Sequence, residues 1–184
     1  MRCWIANQYE EANRIKEAIE EYRLCVKYFE AAKIDTQVLH CEQKVGRMLA
    51  ESGCYTEAAH TYKSVGFKQL RYNLTKYNAS ESFFYSSILL FSGAMKSGSQ
   101  FDFEAVYDNI KVIIQKDFRF EVSASCDFLY NIMNVLKNSK NTLDDFIDHL
   151  YDYNVLYPLE PWCLDIMEKV MTHRFHNVDD AAVV

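Results

Sequence analysis

Lys16-Glu17-Ala18-Ile19-Glu20-Glu21-Tyr22 returns further along the chain as Thr56-Glu57-Ala58-Ala59-His60-Thr61-Tyr62. Both stretches carry Glu-Ala-x-x-x-Tyr, and Glu17 and Glu57 stand 40 residues apart. That period is the length of one helical hairpin in solenoids of the tetratricopeptide type, in which each repeat buries its apolar face against the next. Within the motif the small Ala lets two helices approach closely, and the Tyr one turn later fills the groove between them. The reading is an all-α fold: a tetratricopeptide-like helical-hairpin solenoid ending in a C-terminal helical bundle.

Around the first copy, Ile15, Ala18, Ile19, Tyr22, Cys25, Val26 and Phe29 recur at spacings of three and four, which predicts a helix over residues 15–32 with Glu and Lys on its other face. A shorter helix over 4–11 precedes it. Lys33-Ile34-Asp35 predicts a turn, with Asp35 or Thr36 capping a helix that runs through Val38, Cys41, Val45, Met48 and Leu49. Gly53 stands where a helix-ending C′ residue belongs. The second copy of the motif opens a helix over 55–65 closed by Gly66, and the polar residues 68–78 read as a long connection.

Residues 79–95, carrying Phe83, Phe84, Ile88, Leu89 and Phe91, predict one long helix. Lys96-Ser97-Gly98-Ser99 is the clearest loop and a hinge candidate. Helices are expected over 103–115, 122–136, 142–153 and 162–173. Val112-Ile113-Ile114 alone resembles a strand, but its neighbours keep helical spacing. Thr142-Leu143-Asp144-Asp145 has the form of a capping box with Asp in place of Glu. The expected organisation is hairpin repeats over 1–95, a continuous helical bundle over 96–175 and a flexible tail over 176–184.

Composition agrees with helices. The 184 residues include 2 Pro and 5 Gly, too few to punctuate many strands, and 13 Tyr and 12 Phe, a payload suited to packing through large side chains. A net charge of −6 argues against a general nucleic-acid binder and against bulk electrostatic attachment to membranes. The aromatics follow helical core spacing and are not interleaved with basic residues, so they read as core rather than a stacking platform for bases. Cys3, Cys25, Cys41, Cys54, Cys126 and Cys163 form no C-x-x-C pair, and read as buried free thiols of a reducing compartment rather than a disulfide frame or zinc site. The N-terminus has no signal-like apolar run, and the longest apolar stretch, 88–91, is far too short to span a bilayer. In that setting the sequons at Asn73 and Asn78 are chance matches, and a cytoplasmic or nuclear protein is expected.

Nothing in the chain organises catalysis. There is no G-x-S-x-G or comparable nucleophile motif and no Gly-rich phosphate loop, so neither an enzyme nor a cofactor is expected. His40, His60, His149, His173 and His176 are scattered. Asp144, Asp145 and Asp148 gather at a helix start, where the helix dipole favours negative charge over any metal or acid–base role. The chain offers surfaces rather than chemistry.

One family pattern does surface. Residues 41–66, CEQKVGRMLAESGCYTEAAHTYKSVG, and 74–87, LTKYNASESFFYSS, resemble soluble NSF attachment proteins (SNAPs) of the alpha/beta type. The resemblance rests on Cys41, Lys44, Val45, Tyr55, Ala58, Tyr62, Val65, Gly66, Leu74, Lys76, Tyr77, Phe83 and Phe84. It continues more loosely through Phe118, Cys126, Phe146, Leu150, Tyr153, Leu159 and Trp162. It covers about the C-terminal two-thirds of a SNAP and implies a truncated homologue, a fragment or a misplaced start, because the family's N-terminal hairpins and their membrane-touching loop have no counterpart here.

The resemblance implies an adaptor that binds the SNARE four-helix bundle through a partly basic face and recruits the hexameric ATPase NSF, which unwinds the bundle. Membrane contact would be indirect, through SNAREs. Lys44 and Lys76 match basic, SNARE-facing positions, whereas His40 and Ser80 stand where the family has Lys. The family's acidic NSF-facing patch aligns near Lys137 and Asn138, so its sign is lost. Asp179 and Asp180, with Val183 in place of a penultimate Leu, are the NSF-contact candidates in the tail. Two other readings stay open: a generic helical-repeat scaffold for protein–protein contacts, and a SNARE-binding paralogue that does not stimulate NSF.

Overall fold

The computed structural model describes residues 2–96 and 100–175. Those residues are helical throughout, apart from turns and one isolated antiparallel bridge between Met95 and Phe101. Contacts divide the chain into two compact units, with the division between Ser82 and Phe83. Among the described residues no helix is long and apolar enough to cross a membrane.

The first unit is a stack of sequential hairpins: α1 (Arg2–Glu11), α2 (Ile15–Ala31), α3 (Asp35–Glu51) and α4 (Tyr55–Gln69), each packed on the next. Its turns repeat one device. Asn13, Lys33 and Gly53 all take positive φ (55°, 57° and 78°), and each is followed by an amide that reaches back to the preceding helix. Arg14 donates to the Tyr9 carbonyl at 2.8 Å, Ile34 to Phe29 at 2.9 Å and Cys54 to Leu49 at 2.8 Å. A left-handed residue followed by this back-bond is the geometry that satisfies carbonyls at a helix C-terminus. Because the device recurs every 20 residues, two turns make the 40-residue period.

The repeated motif does what its residue types dictate. Ala18, Tyr22, Ala58 and Tyr62 are all buried. A Cβ placed on Gly46 of α3 would come within 3.1 Å of the Tyr62 ring, so the absent side chain is what lets α3 and α4 close on that aromatic. Forty residues earlier, Ala6 of α1 is fully buried, again a small residue at the equivalent step.

Three local expectations are corrected. The N-cap of α3 is Ile34, without a side-chain bond, and Asp35 instead occupies the first turn, where its charge suits the dipole. Gly66 does not close α4: it is buried inside the helix, which continues to Gln69, and Gln69 Oε1 accepts from the buried Ser82 hydroxyl at 2.9 Å. Packing of the last turn outweighs the low helix propensity of Gly. Finally, residues 79–95 are not one helix. α5 (Ala79–Leu89) breaks at Leu90 before the single turn α6 (Phe91–Ala94). There the Ser87 and Ser92 hydroxyls bond the Phe83 and Leu89 carbonyls at 2.9 and 2.8 Å, and the Leu90 amide shortens its reach to Ser87. Such side-chain competition for helical carbonyls bends or ends helices.

The second unit contains α7 (Glu104–Lys116), a 3₁₀ turn (Phe118–Phe120), α8 (Ala124–Lys137), α9 (Leu143–Leu156) and α10 (Pro161–Phe175). Val112-Ile113-Ile114 lies within α7, as helical spacing required. Thr142 and Asp145 form the expected capping box, with the Thr142 amide donating to Asp145 Oδ2 at 2.7 Å and the Asp145 amide to Thr142 Oγ1 at 3.3 Å. The core is aromatic. Phe83 meets Phe120 edge-on at 5.9 Å, Phe128 stacks on Tyr153 at 4.3 Å, and Phe91 packs on Phe103 at 5.3 Å. Much of the aromatic richness of the sequence goes into this packing, while others of its rings, Phe118, Tyr151 and Tyr157 among them, stay exposed. Ser97, Gly98 and Ser99 of the hinge candidate, and the 176–184 tail, lie outside the described residues.

Candidate functional site

On α3 the side chains of His40, Lys44, Arg47 and Glu51 follow one another at spacings of four and three, which sets them along one face. Helix α1 supplies Glu10 to that face. The Lys44 ammonium donates to Glu10 Oε1 and Oε2 at 3.1 and 3.2 Å, and an Arg47 guanidinium N–H donates to the same Oε1. From α2 the Tyr22 hydroxyl bonds Glu10 Oε2 at 2.7 Å and is in contact with Asn7 Oδ1 of α1. One carboxylate thus joins three helices, and its side chain is only 19% exposed.

The electrostatics follow from that geometry. Burial opposes the charging of Glu10, but the hydrogen bonds from Tyr22 and Lys44 and the charges of Lys44 and Arg47 outweigh it and hold the carboxyl below its usual value. Tyr22 is pushed the other way, first by burial and then by its bond to the Glu10 carboxylate. At neutral pH the site is a charged, hydrogen-bonded knot whose positive charge is partly cancelled from within.

Other basic side chains of this unit are held similarly. Lys68 pairs with Glu42 at 2.6 Å and Glu30 at 3.6 Å, and Arg23 pairs with Glu57. Lys76, between α4 and α5, differs. Its ammonium donates to the neutral Asn73 Oδ1 at 3.4 Å and lies 5.2 Å from the Tyr77 ring centroid, so among the described residues no carboxylate forms an ion pair with it. The exposed Leu74 stands two residues before it.

The structure therefore places Lys44 and Lys76 in the same unit but in different settings, one paired with a carboxylate and one beside a neutral amide and an aromatic ring. Reasoning from sequence missed Arg47, Glu10 and Tyr22. Arg47 was within reach, one turn beyond Lys44 on the same face. Glu10 was not, because its contact with Lys44 spans 34 residues of chain and exists only once α1 and α3 are stacked.

In the second unit, Lys137 ends α8, where a cation suits the helix dipole. Its ammonium lies 4.6 Å from the Tyr107 ring centroid and 5.6 Å from that of Phe103. The candidates Asp179, Asp180 and Val183 fall outside the described residues. Among the described residues no group of three or more His, Cys, Asp or Glu side chains is arranged to hold a metal ion. The six cysteines are free, and two depart from the buried-thiol expectation: Cys3 is only partly buried, and Cys54 is exposed, because it occupies the turn position after Gly53 rather than a helix face.

The family model described as "Soluble NSF attachment protein, SNAP" matches residues 2–173 of the chain. Comparison with curated proteins gives no match.

Proposed function

The chain belongs to the soluble NSF attachment protein family, and from that premise we propose that it is a non-catalytic adaptor that docks on SNARE four-helix bundles and recruits an NSF-type hexameric ATPase for their disassembly. The observation that carries the reading is the family match over residues 2–173, which spans every element that positions Lys44 and Lys76. Docking on an acidic, preformed bundle asks for a rigid surface with complementary charge and for no reacting group. Lys76 supplies charge that no ion pair cancels. Lys44 and Arg47 supply more when an acidic partner competes with Glu10. Association with membranes follows from the SNAREs themselves, on the cytoplasmic side.

The test is co-sedimentation or pull-down of the purified chain with a preassembled SNARE bundle across a salt series. Binding at low ionic strength that fades as salt rises is the expected result, since exposed charge pairs are screened within about 10 Å at 0.1 M salt. Failure to bind at low salt overturns the reading.

A second reading, SNARE docking without ATPase stimulation, is favoured by one feature. Lys137, a cation held over two aromatic rings, stands where the resemblance implies an acidic NSF-facing patch. Measuring NSF ATPase turnover on SNARE bundles with and without this chain separates the two. Binding with unchanged turnover selects the second.

A further inference from the structure

Three thiols converge inside the first unit. Cys3 of α1 donates to Cys25 Sγ of α2 at 3.0 Å, and the Cys41 thiol of α3 interacts with both. Cys25 and Cys41 are buried, whereas Cys3 is partly open to solvent. A disulfide bond is about 2.0 Å long, so joining Cys3 to Cys25 asks for a movement of only about 1 Å along an existing contact.

We propose that Cys3 and Cys25 form a peroxide-sensitive site, in which oxidation staples α1 to α2. Cys3 is the entry point because it alone of the three meets solvent. Burial pushes the Cys25 thiol up to about 12, with its bond to Cys3 adding to the shift, and burial likewise pushes Cys41 up to about 12. Both stay protonated at physiological pH and are not the first target of peroxide; Cys25 reacts only as it hands its proton to the hydroxyl leaving Cys3. The Cys3 thiol loses its proton to water, and the thiolate sulfur attacks one oxygen of hydrogen peroxide. The O–O bond breaks, leaving Cys3 sulfenic acid and a hydroxide that takes up the released proton. Cys25 sulfur then attacks Cys3 sulfur; the S–S bond forms, the S–O bond breaks, and the departing hydroxyl leaves as water with the Cys25 proton. Two thiols and one peroxide become one disulfide and two waters, and the two electrons go to the peroxide.

The structural consequence falls on α1. At ten residues it is the shortest of the four stacked helices, and short helices open at the lowest local cost. A link across residues 3 and 25 closes a loop that includes the whole α1–α2 turn, which corresponds to a Tm rise of roughly 5–10 °C.

The chain itself supplies the assay. Trypsin places Cys3 in residues 3–14, Cys25 in 24–27, Cys41 in 34–44 and the exposed Cys54 in 48–63. Intact protein treated with hydrogen peroxide, then alkylated and digested without reductant, is expected to yield a linked 3–14/24–27 species that dithiothreitol reverses. Amide exchange in α1 should slow in the oxidised protein. Cys3→Ser should leave Cys25 and Cys41 reduced under the same treatment, and Cys54→Ser should leave the link intact. The proposal is overturned if Cys3 advances to sulfinic acid while Cys25 stays reduced. It is equally overturned if the only link joins Cys54 of two molecules, or if a 24–27/34–44 link forms as fast in Cys3→Ser as in the parent.

Discussion

Lys44 on α3 and Glu10 on α1 meet through both carboxylate oxygens, at 3.1 and 3.2 Å, although 34 residues separate them in sequence. The pair does two things at once. It ties the first helix of the described stack to the third, and it cancels a charge on the face where the family resemblance implies an acidic partner. A carboxylate so placed stabilises the fold and, under the proposed function, would restrain docking.

The stabilising half is testable by pH. Glu10 has a depressed carboxyl, so its contribution is fully present above the unfolded value of 4.5 and is lost as pH falls below that through the folded value. Glu10→Gln should cost about 1–2 kcal/mol at pH 7, the size of a lost charge-assisted hydrogen-bond set. Urea midpoints measured between pH 7 and 3 should converge for the two proteins at the acid end. Parallel curves would refute the assignment.

Tyr22→Phe removes only the hydroxyl that bonds Glu10 and contacts Asn7. A cost of about 1–2 kcal/mol is expected, because the neighbouring acceptors lose a partner in a half-buried place. Combined with Glu10→Gln, the two costs should be sub-additive by at least about 0.5 kcal/mol, since they dismantle one network. Strict additivity in chemical denaturation would show the groups to be independent.

The turns give a pair of opposite predictions. Gly53 at φ 78° has nothing within 4 Å of an added Cβ, so Gly53→Ala should cost about 1 kcal/mol from backbone conformation alone. Lys33 already bears that cost at φ 57°, and Lys33→Gly should recover up to about 1 kcal/mol. Thermal melts of the two variants against the parent should move in opposite directions.

Docking should discriminate the two lysines. Lys76→Glu reverses a charge that no carboxylate ion pair holds, so SNARE-bundle binding should weaken roughly two- to fivefold or more at low salt with little change in stability. Glu10→Gln should strengthen binding by releasing Lys44 and Arg47. Lys44→Glu is a poorer probe, because it sets two carboxylates against each other inside the fold. If Lys76→Glu binds as the parent does, the charge at that position has no part in docking.

Much of the fold was legible because it is periodic. The Glu-Ala-x-x-x-Tyr pair announced the hairpin repeat, and apolar spacing placed each main helix. The boundaries that escaped were those decided by a partner. Gly66 reads as a helix end until Gln69, three residues on, is seen buried and bonded to Ser82. The break at Leu90 reads as helix until the Ser87 and Ser92 hydroxyls are seen on the carbonyls of Phe83 and Leu89. Single-sequence spacing carries no information about which carbonyl a serine will choose.

The sequence by itself determined the period, the helices, the aromatic core and the family, because each follows from local residue type at fixed spacing. Only the tertiary structure decided which charges are paired. Lys44 and Lys76 are the same residue type in the same family pattern, yet stacking brings Glu10 against one and leaves Asn73 and an aromatic ring beside the other. The same stacking gathers Cys3, Cys25 and Cys41, which no spacing rule connects. Coulomb energy and thiol reactivity depend on distances through space, and those exist only when the helices have packed.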